Sequence, residues 1–387
     1  MVPKRKFELP GIQDLSKEQE EARALPKEGQ HLIVGGPGTG KSVLALIRAR
    51  RYFREKEDYL FLVYNRLLDT ASGQLFGGLA SQTYIGWFLK EFPKITGKSV
   101  PRLNSDSEWK PIDWPGVEKI VEALPEIENK QRFLIIDEGQ DMPQEFYNAL
   151  VNLGFNRFFV VADQNQQIGE RNSSRRAIEN CLAIDADEVI ELKQNYRNHY
   201  QVAKLARKFY TGDPASPPPE LPEPARGRVP MLYRYNGSDL NKVVRHILLL
   251  SDRDPRQLIG IITPNNAIRK RYLDALQSLQ VPLDNPRPAI RTYYANMKRV
   301  GVAFNEGGIL VINAQSCKGL EFDVAILADI DEHRFQKQNP DAARRLFYVM
   351  VARARDQVFM FMKRNGRQDI EEILPEDNNV LRREELK

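Results

Sequence analysis

Short apolar runs alternate with amphipathic stretches along the first half of the chain. The runs are five or six residues long and predict strands over residues 31–35, 59–64, 132–136 and 157–162. Residues 41–56 have helical periodicity and lie between the first two runs. Strands that alternate with helices form parallel sheets joined by crossover helices, so this half is predicted to be an α/β domain.

The second half repeats this alternation. Apolar runs predict strands over residues 258–262, 309–313, 324–328 and 358–362, and helical patterns cover residues 267–279 and 342–353. The chain after residue 364 is polar, and we expect it to fray. The pattern therefore predicts two α/β halves.

A proline-rich segment separates the two halves. Seven prolines lie within residues 214–230. Because proline lacks a backbone N–H and fixes φ, this density excludes a regular helix or a central strand. We expect a surface loop or polyproline linker, with a peptide-recognition ligand as the alternative.

Composition places the chain among ordinary globular proteins. Of its 387 residues, 42% are hydrophobic and 28% are charged, and the net charge is +5. A mild basic excess permits nucleic-acid binding without requiring it. Two cysteines and four scattered histidines give neither a disulfide framework nor zinc-ligand spacing, and no apolar run is long enough for a membrane helix. We expect a soluble cytoplasmic protein.

A phosphate-binding loop is the strongest local motif. It fits the pattern G-x-x-x-x-G-K-[ST] and lies between a predicted strand and a predicted helix, as phosphate binding requires. Its glycines let backbone N–H groups wrap a phosphate, its lysine would reach the outer phosphates, and its serine would bind Mg²⁺. The motif consists of Gly35, Gly36, Pro37, Gly38, Thr39, Gly40, Lys41 and Ser42.

Two further strands end in polar residues. Asp137 and Glu138 follow the apolar run Phe133–Ile136; Asp137 is a candidate Mg²⁺ ligand, and Glu138 is a candidate base for an attacking water. Capping of the next helix is the alternative for both carboxylates. Gln166 follows another strand and is a candidate sensor of the terminal phosphate, although such a residue taken alone is more often part of an ordinary polar loop.

These motifs, in this order, resemble superfamily 1 helicases of the UvrD/Rep/PcrA type. The chain carries segments similar to the family's motifs from about residue 15 to about residue 362: LSKEQ at 15–19, DEGQD at 137–141, DQNQQI at 163–168, QNYRN at 194–198, CKGLEFD at 317–323 and RLFYVMVARAR at 345–355. The later segments are each weak signals, but their ordered occurrence is specific.

The resemblance implies a role for each of several residues. Gln19 would read the adenine, Tyr196 would stack on it and Glu321 would bind the ribose. Arg197 and Arg353 would act as arginine fingers, since guanidinium groups stabilise the charge that develops on a transferring phosphoryl group. The implied cofactors are ATP and Mg²⁺.

The resemblance also implies two RecA-like parallel-sheet domains in tandem, with the ATP site in the cleft between them. We place the first domain at residues 1–193 and the second at 194–387. Full-length relatives carry a large insertion in each domain. Here we expect only a small one, at about residues 96–131, and none in the second domain.

The motifs that contact nucleic acid in this family differ from the family pattern in this sequence. Ile85 stands where the family usually has histidine, and Gly169–Asn172 lacks the usual aromatic residues. Candidate replacements for nucleic-acid binding are Tyr64, Asn65, Arg66, Thr83, Tyr84 and Trp87. For each aromatic residue, packing in the core is the interpretation that we favour.

Two functions fit this sequence. The first is an ATP-dependent translocase or helicase that moves 3′ to 5′ along single-stranded nucleic acid. We expect DNA rather than RNA. The second is an ATPase switch subunit of a larger assembly, for example with a nuclease in DNA repair or phage defence. A nucleotide-binding module without hydrolysis is a third hypothesis, against which Glu138, Arg197 and Arg353 argue.

Overall fold

The computed structural model describes most of the chain. The described residues are 4–5, 15–64, 69–70, 74, 81–105, 110–125, 127–163, 172–211, 217–224, 227–294, 297 and 301–386. They divide into two compact units. The N-terminal unit comprises Leu9–Gly36 and Gly40–Leu192, and the C-terminal unit comprises Met1–Glu8, Pro37–Thr39 and Lys193–Lys387.

The N-terminal unit is built on a six-stranded parallel sheet with the order β3-β2-β4-β5-β1-β6. Its strands are β1 (Gln30–Gly35), β2 (Tyr59–Val63), β3 (Ser81–Thr83), β4 (Phe133–Ile136), β5 (Phe158–Ala162) and β6 (Ile190–Leu192). Its helices are α1 (Lys17–Ala24), α2 (Lys41–Glu55), α3 (Tyr84–Thr96), α4 (Trp114–Glu122), α5 (Gln144–Asn152) and α6 (Arg175–Leu182).

The C-terminal unit has a seven-stranded parallel sheet with the order β13-β7-β12-β11-β8-β10-β9. Its strands are β7 (Met231–Tyr235), β8 (Leu258–Thr263), β9 (Ile290–Thr292), β10 (Gly308–Asn313), β11 (Phe322–Leu327), β12 (Ala354–Lys363) and β13 (Arg382–Glu385). Its helices are α7 (Tyr200–Arg207), α8 (Leu240–Arg253), α9 (Asn266–Ser278) and α10 (Pro340–Val351).

The predicted α/β class is therefore confirmed in both units. Strands that are apolar throughout, such as β4 and β5, are buried along their whole length because helices cover both faces of a parallel sheet. The short strands β3 and β6 were not predicted. They have three residues each and include polar side chains, so they carry no clear apolar run.

The C-terminal tail corrects the expectation of fraying. Leu374, Val380 and Leu381 are buried, and β13 pairs with β7 at the edge of the sheet. The strand is polar because it is an edge strand with exposed side chains, and its order comes from backbone pairing. By contrast, the described residues 217–224 and 227–230 of the proline-rich segment contain no helix or strand, as predicted.

The region of the predicted small insertion packs on the N-terminal core. Residues 97–105 and 110–113 contain no helix or strand, but α4 follows them. Its residues Trp114, Val117 and Val121 are buried together with Phe88 and Phe146. This region therefore adds to the unit a helix whose apolar face is buried.

Candidate nucleotide site

The phosphate-binding loop connects β1 to α2. Gly38 and Gly40 have φ angles of +83° and +88°, which side-chain-bearing residues rarely adopt. Gly40 precedes the first residue of α2, so the unpaired N–H groups of that helix begin at the loop. Backbone N–H groups at this position bind anions, and the local conformation matches the chemistry that the motif predicts.

Lys41 is held at the start of α2 by two oxygen atoms of the N-terminal unit. Its Nζ donates to the carbonyl oxygen of Gly36 at 2.8 Å and to the carboxylate of Asp163 at 3.3 Å. Lys41 is 7% exposed and Asp163 is fully buried. The ammonium group is thus fixed beside the loop by a carboxylate at the end of β5, a residue to which sequence reasoning gave no role.

Ser42 and Asp137 come together although they are far apart in the sequence. The Ser42 hydroxyl donates to Oδ1 of Asp137 at 3.1 Å. Burial raises the pKa of the Asp137 carboxyl, and the nearby charge of Glu138 raises it further, while the Ser42 hydrogen bond opposes both. Hydroxyl and carboxylate oxygens are suitable Mg²⁺ ligands, so this pair fits the cofactor implied by the sequence.

Glu138 is held in an uncommon backbone conformation by its neighbours. Its φ is +55°, in the left-handed region, and it directly precedes the short 3₁₀-helix Gly139–Asp141. The Gln140 amide donates to Oε2 of Glu138 at 2.7 Å, and its own oxygen accepts from the Asp163 N–H at 2.8 Å. Gln140 thereby connects the ends of β4 and β5 and orients the candidate base.

Gln140 is a second residue that sequence reasoning missed. It is fully buried, and it lies inside the motif that the resemblance had already quoted. The sequence did contain a signal for this residue, because Gln140 lies between the acidic residues Glu138 and Asp141 just after β4.

Gln19 lies against the phosphate-binding loop. It forms a capping box with Ser16 at the start of α1: the Ser16 N–H donates to Oε1 of Gln19 at 3.0 Å, and the Gln19 N–H donates to the Ser16 hydroxyl at 3.2 Å. A Cβ atom placed on Gly40 would lie 2.5 Å from Nε2 of Gln19. Gly40 therefore permits the close approach of Gln19 to the loop, beside the position predicted for the nucleotide.

In the C-terminal unit, two of the predicted nucleotide-site residues contact each other. Arg197 forms an ion pair with Glu321. Tyr196 is 46% exposed, and its hydroxyl donates to Oε1 of Gln194 at 2.5 Å. Its exposed ring is available for stacking, as the resemblance implies.

Arg353 occupies a different environment from an ordinary helix-surface arginine. It is 1% exposed, and it donates from Nε to the Val349 carbonyl at 3.1 Å and from Nη1 to the Leu320 carbonyl at 3.4 Å. Burial of a guanidinium is costly unless its N–H groups have partners, so these bonds fix the side chain within the C-terminal unit. The finger role stays a prediction.

The candidate nucleic-acid-binding residues differ in how much of each side chain is exposed. Tyr64 is 40% exposed and stacks on Tyr84, with ring centroids 6.0 Å apart. Tyr84 and Trp87 are 7% and 4% exposed and pack in the core against Phe146 and Phe155. Their burial agrees with packing in the core, the interpretation favoured for each aromatic residue, and not with their listing as candidates for nucleic-acid binding.

Thr83 has a structural role at this position. Its hydroxyl accepts from the Gly86 N–H at 3.3 Å and caps the N-terminus of α3. Three other predicted residues, Asn65, Arg66 and Gln166, lie outside the described residues.

The described residues contain neither a cluster of metal-binding side chains nor a membrane-spanning helix. Among them, no cluster of three or more histidine, cysteine, aspartate or glutamate side chains has the arrangement of a metal site. No helix in the described part of the chain combines the length and apolarity needed to cross a membrane.

Comparison with known proteins identifies one family segment. Residues 308–361 match the model of the UvrD-like helicase C-terminal domain. This segment runs from β10 into β12 and contains Glu321 and Arg353. The match confirms the resemblance to UvrD-like helicases over this part of the C-terminal unit.

Other comparisons add less. No curated protein that was searched matches the sequence. A solved structure of the C-terminal domain of a possible DNA helicase from Lactobacillus plantarum WCFS1 is similar, with 16% identity, a TM-score of 0.34 and coverage of 48% of this chain and 97% of that one. Nothing about this chain is inferred from that similarity.

Proposed function

We propose that this chain, which carries a UvrD-like helicase segment, hydrolyses ATP with Mg²⁺ to move along single-stranded nucleic acid. We further propose that the nucleic acid is DNA rather than RNA and that the protein moves along it in the 3′ to 5′ direction. The observation that supports the ATPase activity best is the 3.1 Å contact between Ser42 and Asp137. It joins the two oxygen groups that a Mg²⁺-nucleotide complex requires, directly beside the phosphate-binding loop.

Each residue of the N-terminal site has a distinct part in this proposal. Ser42 and Asp137 would hold Mg²⁺, which supplies charge neutralisation between the outer phosphates when bound. Lys41 would exchange its contact with Asp163 for a phosphate oxygen. Glu138, oriented by Gln140, would accept a proton from the attacking water.

The remaining predicted residues would recognise the nucleotide or its charge. Gln19 would read the adenine at the loop, Tyr196 would stack on it and Glu321 would bind the ribose. Arg197 and Arg353 would stabilise the transferring phosphoryl group, and Gln166 would sense the terminal phosphate. These roles rest on the resemblance and on the residue chemistry.

A second candidate function is an ATPase switch that requires a protein partner. The burial of Tyr84 and Trp87 favours it, because aromatic stacking on bases is worth about 1–3 kcal/mol per base and these two rings are not available for it. In this case the ATP cycle would change the conformation of an assembly, for example with a nuclease, and the isolated chain would unwind little duplex.

Steady-state ATP hydrolysis separates the two candidates. The purified chain is assayed alone and with single-stranded DNA or RNA, at two salt concentrations. Stimulation by one polymer that weakens at high salt supports the translocase and identifies its track, because phosphate contacts release counterions. Equal turnover with every polymer contradicts it and favours the partner-dependent switch. Absence of magnesium-dependent turnover under all conditions would overturn both.

A further inference from the structure

A concave pocket of about 440 Å³ opens on the C-terminal unit, apart from the predicted nucleotide-site residues. Its floor is formed by the sheet. Phe359 of β12, Met231 of β7 and Arg382 of β13 are register partners and so form one row across three neighbouring strands. Tyr233, two residues along β7, faces the same side. Helix α8 supplies His246 and Arg253 to the wall.

The floor of the pocket is aromatic. The Tyr233 ring stacks with Phe359, with ring centroids 6.2 Å apart and planes inclined by 17°. The His246 ring contacts Tyr233 edge-on at 5.1 Å. Phe359 is 4% exposed, so the partly exposed ring of Tyr233 is the flat surface that this floor offers to a planar ligand group.

The rim of the pocket is cationic. Arg228, Arg253 and Arg382 all line it and are exposed. Within the described part of the chain, none of their guanidinium groups has an ion pair or a hydrogen bond. Three exposed arginines without an ion-pair partner around one cavity favour an anionic ligand, since a guanidinium fork matches the oxygens of phosphate.

Acidic residues also lie near this rim, and one of them is Glu384, the register partner of Tyr233 on β13, whose single charge is outnumbered by the three arginines. A smaller adjoining cavity shares Arg228 and Arg253 and is also lined by Asp254 and Asp356. Asp254 is paired with Arg256 at 3.3 Å, and Asp356 is paired with Arg355 at 3.1 Å. Their charges are therefore already engaged outside the three rim arginines.

We propose that this pocket binds a phosphorylated nucleoside, with the phosphate at the three rim arginines and the planar part on the aromatic floor. The volume is in the range of small-molecule sites. The same chemistry is offered by a free mononucleotide and by a phosphorylated end of a strand. This site is separate from the proposed ATPase site and does not depend on it.

Calorimetric titration of the full chain tests the proposal. The probes are AMP, adenosine and a short single-stranded oligonucleotide with or without a 5′ phosphate. We expect AMP or the phosphorylated oligonucleotide to bind, and Arg253→Ala and Arg382→Ala each to weaken that binding about tenfold, equivalent to about 1.4 kcal/mol. Binding of AMP identifies a free nucleotide as the ligand, and binding of only the phosphorylated oligonucleotide identifies a strand end.

Two controls make the result specific. Arg245→Ala removes an exposed arginine of the same helix α8 that does not line the pocket, and it should leave binding unchanged. The titrations are repeated in the Lys41→Ala background, in which nucleotide binding at the proposed ATPase site is weakened, so that the remaining binding reports on the pocket. The proposal is overturned if no probe binds at millimolar concentration, if adenosine binds as tightly as AMP, or if both rim variants bind as the parent does.

Discussion

Replacing Glu138 by glutamine is expected to separate ATP binding from ATP hydrolysis. The carboxylate is 5% exposed and accepts a hydrogen bond from Gln140 at 2.7 Å. Glutamine has nearly the same shape and keeps an oxygen that can accept this bond, so the loop conformation should persist. It cannot accept a proton, so the step that activates water is lost.

The expected magnitude follows from that single loss. General-base catalysis contributes about 10²- to 10⁴-fold, so kcat should fall by that factor, equivalent to about 3–5 kcal/mol in the barrier. ATP affinity should change little, since Lys41, Ser42 and the loop backbone are untouched. The free energy of unfolding at neutral pH should rise by an amount of the order of 1 kcal/mol, because the like charge beside buried Asp137 is removed.

Three measurements check this expectation: single-turnover hydrolysis, equilibrium binding of a fluorescent ATP analogue, and thermal unfolding. Glu145→Gln is the matched control, since Glu145 is exposed on α5 and undergoes the same chemical change. Its turnover should equal that of the parent. If Glu138→Gln hydrolyses ATP within twofold of the parent, Glu138 is not the base. If the variant instead loses nucleotide binding, Glu138 is needed to maintain the conformation of the phosphate-binding loop.

Three further changes test other parts of the structure. Lys41→Ala should weaken ATP binding at least tenfold in the fluorescence assay, and unchanged affinity would contradict the phosphate-loop role. Asp323→Asn should lower the free energy of unfolding by about 3–5 kcal/mol in urea titrations, because it breaks a buried ion pair with Arg5 at 2.9 Å; in the Arg5→Ala background the same change should cost less, and additive costs would refute the coupling. Burial lowers the pKa of His333 to about 4, so the unfolded chain binds the proton more tightly and stability should fall by about 2 kcal/mol from pH 7 to pH 5. His333→Phe should remove that fall, and an equal fall in the variant would show that other groups cause it.

The ion pair of Arg5 shows that the position of a short segment can depend on a residue far away in the sequence. Sequence analysis assigned no role to Arg5. In the structure, Arg5 contacts both carboxylate oxygens of Asp323, which also accepts from the Leu258 N–H at 2.8 Å. Local sequence does not contain this information, because the partner lies more than 300 positions away.

The correction at Trp87 has a similar cause. An aromatic residue near a predicted strand-binding motif can either stack on a base or pack in the core. Which of the two occurs depends on whether α3 turns that residue towards the hydrophobic core, and the edge contact with Phe155 shows that it does. The residues around Trp87 do not by themselves reveal which side of α3 is covered.

The sequence by itself determined the parallel α/β class and the phosphate-binding loop. Both are local: apolar runs specify buried strands, and the glycines, Lys41 and Ser42 are contiguous, so backbone preference and side-chain chemistry act within a few residues. Tertiary structure alone decided that Gln140 orients Glu138, that Gln19 approaches Gly40, and that a polar tail becomes strand β13. These features depend on contacts between segments far apart in the chain, whose geometry is set by the packing of whole strands and helices.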